Sequence, residues 1–226
     1  MNPPSIWVVT PAYNEAKVIA STVQSCLPYV DGIIVVDDCS IDGTFMQAIQ
    51  SGAHTLRHPV NLGQGAALQT GIEYALQQHA DYIVTFDADG QHEASEIISM
   101  VKALSSSAAE IALGSRFIAR TVEIPLVRKV ILKLAIIFTL ITTKAHFSDV
   151  HNGFRAMTSS FCKTFVFNQN RMAHASEILE YISKNKIKYI EFPVTIKYTE
   201  YSLGKGQRNT NAFRIILELL WGYFSR

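Results

Sequence analysis

"YIVTFDADGQHE", Tyr82–Glu93, places two aspartates one residue apart directly after an apolar run, with a glycine, a glutamine and a histidine behind them. The run reads as a strand buried on both faces, and the polar residues as the chemistry at its carboxyl end. Working outward, the same rhythm repeats. "SIWVVT", "GIIVVDD", "AHTLRHP", "DYIVTFDAD" and "AEIALGSR" are strand-like. Helical patterns separate them: Glu15 to about Pro28, "DGTFMQAIQSG" closed by Gly52, "GQGAALQTGIEYALQQHA", and "EASEIISMVKALSSS". Strands alternating with helices predict an α/β fold: a Rossmann-like, mostly parallel sheet with helices on both faces.

After Arg116 the rhythm changes. An apolar tract covers about residues 127–146, followed by "DVHNGFRAMT", a helix near "AHASEILEYISKNK", a strand-like "KYIEFPVTIKY", and an amphipathic end, "NAFRIILELLWGYFSR". There are no internal repeats and no low-complexity linkers. The expectation is one domain over 1–226, with a nucleotide-type half, 1–116, and an acceptor-side half, 117–226.

Composition narrows the class. With 48% hydrophobic and 17% charged residues a sizeable core is available. A net charge of +1 gives no global case for binding nucleic acid. Cys26, Cys39 and Cys162 have neither zinc-site nor disulfide-framework spacing, which fits a reducing, cytoplasmic setting. The amino terminus lacks the pattern of a signal peptide. The uninterrupted apolar part of the long tract, Leu134–Ile141, falls short of the ~20 residues a spanning helix needs. That tract and the aromatic end, with Trp221, Tyr223 and Phe224, are read as core helices, as a peripheral membrane contact, or as a seat for a small membrane subunit.

In open α/β sheets ligands bind at the carboxyl ends of the strands. Three strands here end in "TPAYNE", "VVDDCSIDGT" and "FDADGQH", so Glu15, Asp37, Asp38, Asp87 and Asp89 are expected on one edge. Carboxylates gathered without a cation repel and raise one another's pKa; a divalent metal or a ligand hydroxyl network resolves that. Asp87 and Asp89 suit Mg2+ or Mn2+ shared with phosphate oxygens, with Gln91 adding an amide oxygen. Asp37 or Asp38 suits ribose or base. The same letters also fit a turn and helix N-cap. A calcium loop is excluded because Gly90 falls fourth rather than sixth. "NLGQGAALQTG" has Leu68 where a dinucleotide loop needs its third glycine, so a tight strand–helix turn is the better reading.

Six motifs in order, "VVTPAYNEAKVIASTV", "IIVVDDCSIDGT", "NLGQGAALQTGI", "DYIVTFDADGQH", "LGSRF" and "DVHNGFRAM", resemble family 2 glycosyltransferases, and most nearly the dolichyl- or undecaprenyl-phosphate sugar synthases and bacterial surface-polysaccharide transferases. The resemblance implies a GT-A fold, a nucleotide-diphosphate sugar donor and a divalent metal. It places nucleotide contacts on Pro11, Tyr13 and Glu15 with Asp38 beside them. Metal and diphosphate fall on Asp87, Asp89 and Gln91, and Arg116 near the reacting phosphates. Arg128, Lys205 and Arg208 are the candidates for an acceptor phosphate. Asn152 stands where the lipid-phosphate synthases often carry Ser. "YSLGKGQRN" reads as a phosphate-gripping loop or a plain surface loop.

The implied reaction is inverting displacement at the anomeric carbon. A polyprenyl phosphate acceptor needs no base; a sugar hydroxyl on a growing glycan does, and Asp149 is then the candidate. Asp149 is equally a loop carboxylate orienting Arg155. His92 and His151 are second-layer or surface groups, and His174 with Glu177 lines an acceptor pocket or starts a solvated helix. A sugar-nucleotide-binding protein without turnover is the alternative from another class.

Overall fold

The computed structural model describes residues 3–118, 145–150, 152–170 and 174–197, together with Ile136 and Leu140. Seven strands form one sheet: β1 (Ile6–Ala12), β2 (Gly32–Asp37), β3 (His54–Arg57), β4 (Tyr82–Thr85), β5 (Ile111–Ser115), β6 (Arg155–Thr158) and β7 (Tyr189–Pro193). Their order is β3-β2-β1-β4-β6-β5-β7. The α-helices whose bounds fall among the described residues are α1 (Ile19–Cys26), α2 (Thr44–Gln50), α3 (Gln64–Gln77), α4 (Glu96–Ser105), α5 (Ser159–Thr164) and α6 (His174–Lys184).

β1, β2, β4 and β5 are largely apolar because both faces are covered, whereas β3 and β7 at the sheet edges are partly exposed. Side chains alternate across a strand. Ile33 and Val35 of β2 therefore join one core with α1 and α4, while Ile34 and Val36 join another with α3, α5 and α6. Helix α3 shows the matching stripe: Gly65, Leu68, Ile72 and Ala75 are buried at helical spacing. Gly71 lets this helix lie against the sheet, since a Cβ there would stand 2.3 Å from Val9 Cγ1.

The sheet departs from simple alternation at one place. β1 pairs in parallel with β2 and with β4, and β5 with β7. β6 enters between β4 and β5, antiparallel to both. The sequence pattern predicted parallel pairing and gave no place to this strand. The reason is range: β6 comes from the carboxyl-terminal half and finds its neighbours by tertiary contact. The sheet thus takes strands from both sides of residue 116. β4 also ends at Thr85 rather than running on through the aspartates; Phe86 N adds one more bond, to Val9 O.

Candidate active site

Chain order reverses between β1 and β4, and crevices for ligands open at such a switch point. Here a cavity of about 280 Å³ is lined by Pro11, Tyr13, Glu15, Asp38, Gln64, Asp87 and Asp89. A larger groove of about 550 Å³, between Ala109 and Tyr189, lies at the opposite ends of β5 and β7 and has no carboxylate in its lining.

Four of the five expected carboxylates therefore share the cavity, and Asp37 does not. Adjacent residues on a strand face opposite ways. Asp37 is buried elsewhere, accepting from Ser40 N at 3.2 Å and standing 3.1 Å from Arg57 Nε. Asp38 is committed on the cavity side. It accepts from Leu62 N at 2.9 Å and Gly63 N at 2.7 Å, and His58 Nδ1 lies 2.8 Å away, with His58 Nε2 3.0 Å from Thr70 Oγ1. This is what makes "NLGQG" a tight turn: Asp38 gathers its N–H groups, and Gly63 supplies the φ of +104° that precedes α3.

Asp87 and Asp89 are held differently. Asp87 receives Gln64 Nε2 at 3.2 Å, and His92 Nε2 lies 3.2 Å from its other oxygen. Gly153 packs directly on this carboxylate; a Cβ there would stand 2.3 Å from Asp87 Oδ2. Burial pushes the Asp87 carboxyl up, but the His92 bond and the charges of His92, His174 and Arg155 outweigh it and hold the group below its ordinary range. For Asp89 burial and then the Asp87 charge act together, and its pKa is pushed up to about 6. Gln91 donates to Asp89, through Nε2 at 2.7 Å and its backbone N at 3.1 Å, so it orients that carboxylate.

Among the described residues no group of three His, Cys, Asp or Glu side chains is arranged to hold an ion by itself. The two aspartates nevertheless suit one: a divalent cation would offset the repulsion within the pair, and oxygens of a bound diphosphate would complete the ligand set.

Arg116 and Asp149 are brought together. Arg116 Nε lies 2.6 Å from Asp149 Oδ2, and Arg116 N donates to the same oxygen at 3.2 Å. Asp149 is thus paired with Arg116 rather than with Arg155, the partner that the loop-carboxylate reading expected. His174 is buried against Phe167, and Glu177 accepts from Asn168 N and Gln169 N at 3.0 Å each. Arg128, Lys205, Arg208, His151, the loop "YSLGKGQRN" and the aromatic end fall outside the described residues. The long apolar tract does too, apart from Ile136, Leu140, Ala145 and His146. No helix among the described residues is long and apolar enough to cross a membrane.

Two features escaped the sequence reading. Gln64 reaches Asp87 from the first position of α3, and the only signal was a polar residue opening a helix after a strand. Gly153 touches Asp87 from the segment just before β6, which no local pattern could show. Of the two readings of His92, the structure has the second-layer one: it is buried against the Phe86 and Phe154 rings, each 5.3 Å away, and meets Asp87.

A sheet of this order with an acid-edged cavity at its switch point is the GT-A architecture of glycosyltransferases. The chain belongs to glycosyl transferase family 2, whose model matches residues 7–166. It is 33% identical to the UDP-N-acetylglucosamine–dolichyl-phosphate N-acetylglucosaminyltransferase of Methanococcus voltae, over 95% of this chain and 94% of that one. It is 27% identical to the polyprenol monophosphomannose synthase of Mycolicibacterium smegmatis, over 92% and 82%. Glucosyl-3-phosphoglycerate synthase of Mycobacterium tuberculosis, solved with Mg2+ and UDP, shares the fold with a TM-score of 0.67 at 20% identity, over 96% of this chain and 79% of that one.

Proposed function

We propose that this enzyme transfers one sugar from a nucleotide-diphosphate sugar to a polyprenyl phosphate, with inversion, at the cytoplasmic face of a membrane. The observation that carries the reading is the Asp87–Asp89 pair in the cavity between β1 and β4. Relatives named for dolichyl- and polyprenyl-phosphate acceptors, matched over 94% and 82% of their length, support the acceptor class.

Pro11, Tyr13, Glu15 and Asp38 form the nucleotide side of the cavity, with Asp38 fixing the turn beneath it. Asp87 and Asp89 would hold Mg2+ or Mn2+, which as a Lewis acid offsets charge growing on the departing diphosphate. Gln91, Gln64 and His92 keep the two carboxylates in place, so little reorganisation accompanies the chemistry. A phosphate acceptor is anionic near neutral pH and needs no general base, in keeping with Asp149 being occupied by Arg116.

The test is a turnover screen with Mg2+ or Mn2+: labelled UDP-, GDP- and dTDP-sugars against short-chain polyprenyl phosphate. Labelled sugar entering the organic phase, lost with Asp89→Ala, is the expected result. Nucleotide binding without labelled lipid would overturn the acceptor assignment.

A further inference from the structure

The donor cavity leaves one buried charge unexplained. Arg155 opens β6, in register with Thr85 of β4 on one side and Leu113 of β5 on the other. It is only 3% exposed. Yet among the described residues its guanidinium donates no hydrogen bond and forms no ion pair, and its nitrogens are not among the fully buried atoms without a partner, so the fork keeps a narrow opening to solvent. Burial draws its pKa down to about 10, against the opposing pull of Asp87 and Asp149. Nearby carboxylates therefore compensate it at a distance without touching it.

Its position says which ligand it serves. The donor cavity lies over β1 and β4, and Arg155 is not in its lining. Asp87 follows β4, so in strand order it separates that cavity from Arg155 on β6. The charge of Asp149, itself paired with Arg116, acts on Arg155 together with that of Asp87, and His174 acts on Asp87 as well. A planar guanidinium with its fork unfilled matches a phosphate monoester, which it can bind through two parallel bonds.

We propose that Arg155 binds the phosphate monoester of the acceptor, seating it across Asp87 from the donor diphosphate. The inference rests on the polyprenyl-phosphate reading above and adds the residue that recognises the acceptor's charge. A rival role, simple charge compensation for Asp87 and Asp149, requires a cation but not a fork.

Arg155→Lys separates the two, because it keeps the charge and loses the bidentate geometry. Arg155→Met removes both, and thermal unfolding shows whether each variant is folded. Binding of short-chain polyprenyl phosphate, of the matching polyprenol without phosphate, and of inorganic phosphate is measured on the full chain, alongside UDP with Mn2+. The wild type should prefer the lipid phosphate over the polyprenol. Arg155→Lys should weaken lipid-phosphate binding about tenfold, as loss of one charge-assisted bond implies, and leave UDP with Mn2+ within about threefold. Arg155→Lys binding the lipid phosphate like the wild type would overturn the proposal, as would an equal loss on the UDP side. Inorganic phosphate binding as tightly as the lipid would overturn the acceptor assignment. A wild type that binds no polyprenyl phosphate would instead remove the functional reading itself, and this inference with it.

Discussion

Arg116 Nε and Asp149 Oδ2 lie 2.6 Å apart with side chains 6% and 1% exposed, a buried ion pair joining the end of β5 to the segment that leads into β6. Such a pair is costly to break because either partner alone is left as an uncompensated buried charge. Asp149 meets both the side chain and the backbone N–H of Arg116, so its part is to place Arg116.

Asp149→Asn and Arg116→Met should each destabilise the protein by about 3 kcal/mol. The double variant should cost clearly less than the sum of the two, because the pair acts as one unit. Chemical denaturation of all four proteins tests this. If Asp149 served as a general base, Asp149→Asn would also abolish the acidic limb of the pH–rate profile, where protonation would silence that base; with a phosphate acceptor the profile should keep its shape.

The raised Asp89 pKa makes metal binding pH-dependent. In the folded, metal-free protein this group titrates near 6, above its ordinary value of about 3.9. The folded state thus holds the proton more tightly than the unfolded one. Its stabilising contribution is complete below about pH 4 and is lost as pH rises through about 6. A cation must displace that proton, so Mn2+ affinity in the presence of nucleoside diphosphate should climb with pH up to about 6 and then level. Asp89→Asn should remove the climb and stabilise the metal-free protein by about 1 kcal/mol near neutral pH. Calorimetric titration at several pH values would show a flat profile if the shift were absent.

Gly153→Ala should fold and fail. The added Cβ would meet Asp87 Oδ2 at 2.3 Å, and the carboxylate has to move away. Overpacking of this kind costs about 1–3 kcal/mol of stability. Displacement at the reacting centre costs more in rate, and kcat/KM should fall about a hundredfold. Near-wild-type turnover would show that the Asp87 position is not critical.

His58→Phe should loosen the turn before α3. It removes the imidazole linking Asp38 to Thr70 and leaves one of Asp38's bonds unmade, at a cost of about 1–3 kcal/mol. Weaker binding of nucleoside diphosphate is expected with it, since Asp38 lines the cavity. Unfolding and nucleotide titration together check both effects; unchanged binding would confine His58 to stability.

The β–α alternation was legible because β1, β2, β4 and β5 are short, nearly unbroken apolar runs, as in "GIIVVD", and the helices between them carry their own stripes. The cavity was legible for a related reason: parallel strands end on one edge, so Glu15, Asp38, Asp87 and Asp89 had to gather there. What the letters left open was the split between Asp37 and Asp38. A one-residue step reverses the face, and only packing shows which face meets the cavity.

By itself, then, the sequence determined the elements, the edge on which they converge and the acidic pair at the end of β4, because these follow from periodicity and from the common direction of parallel strands. Tertiary structure decided what surrounds that pair. β6 inserts antiparallel between β4 and β5 and brings Gly153 against Asp87, with Thr85 Oγ1 donating to Gly153 O at 2.6 Å across a sequence separation of 68 residues. It also sets Arg155 behind Asp87, and the approach to β6 gives Arg116 its partner in Asp149. Contacts of that range have no local pattern. They exist only once loop closure has been offset by burial of both faces of the sheet.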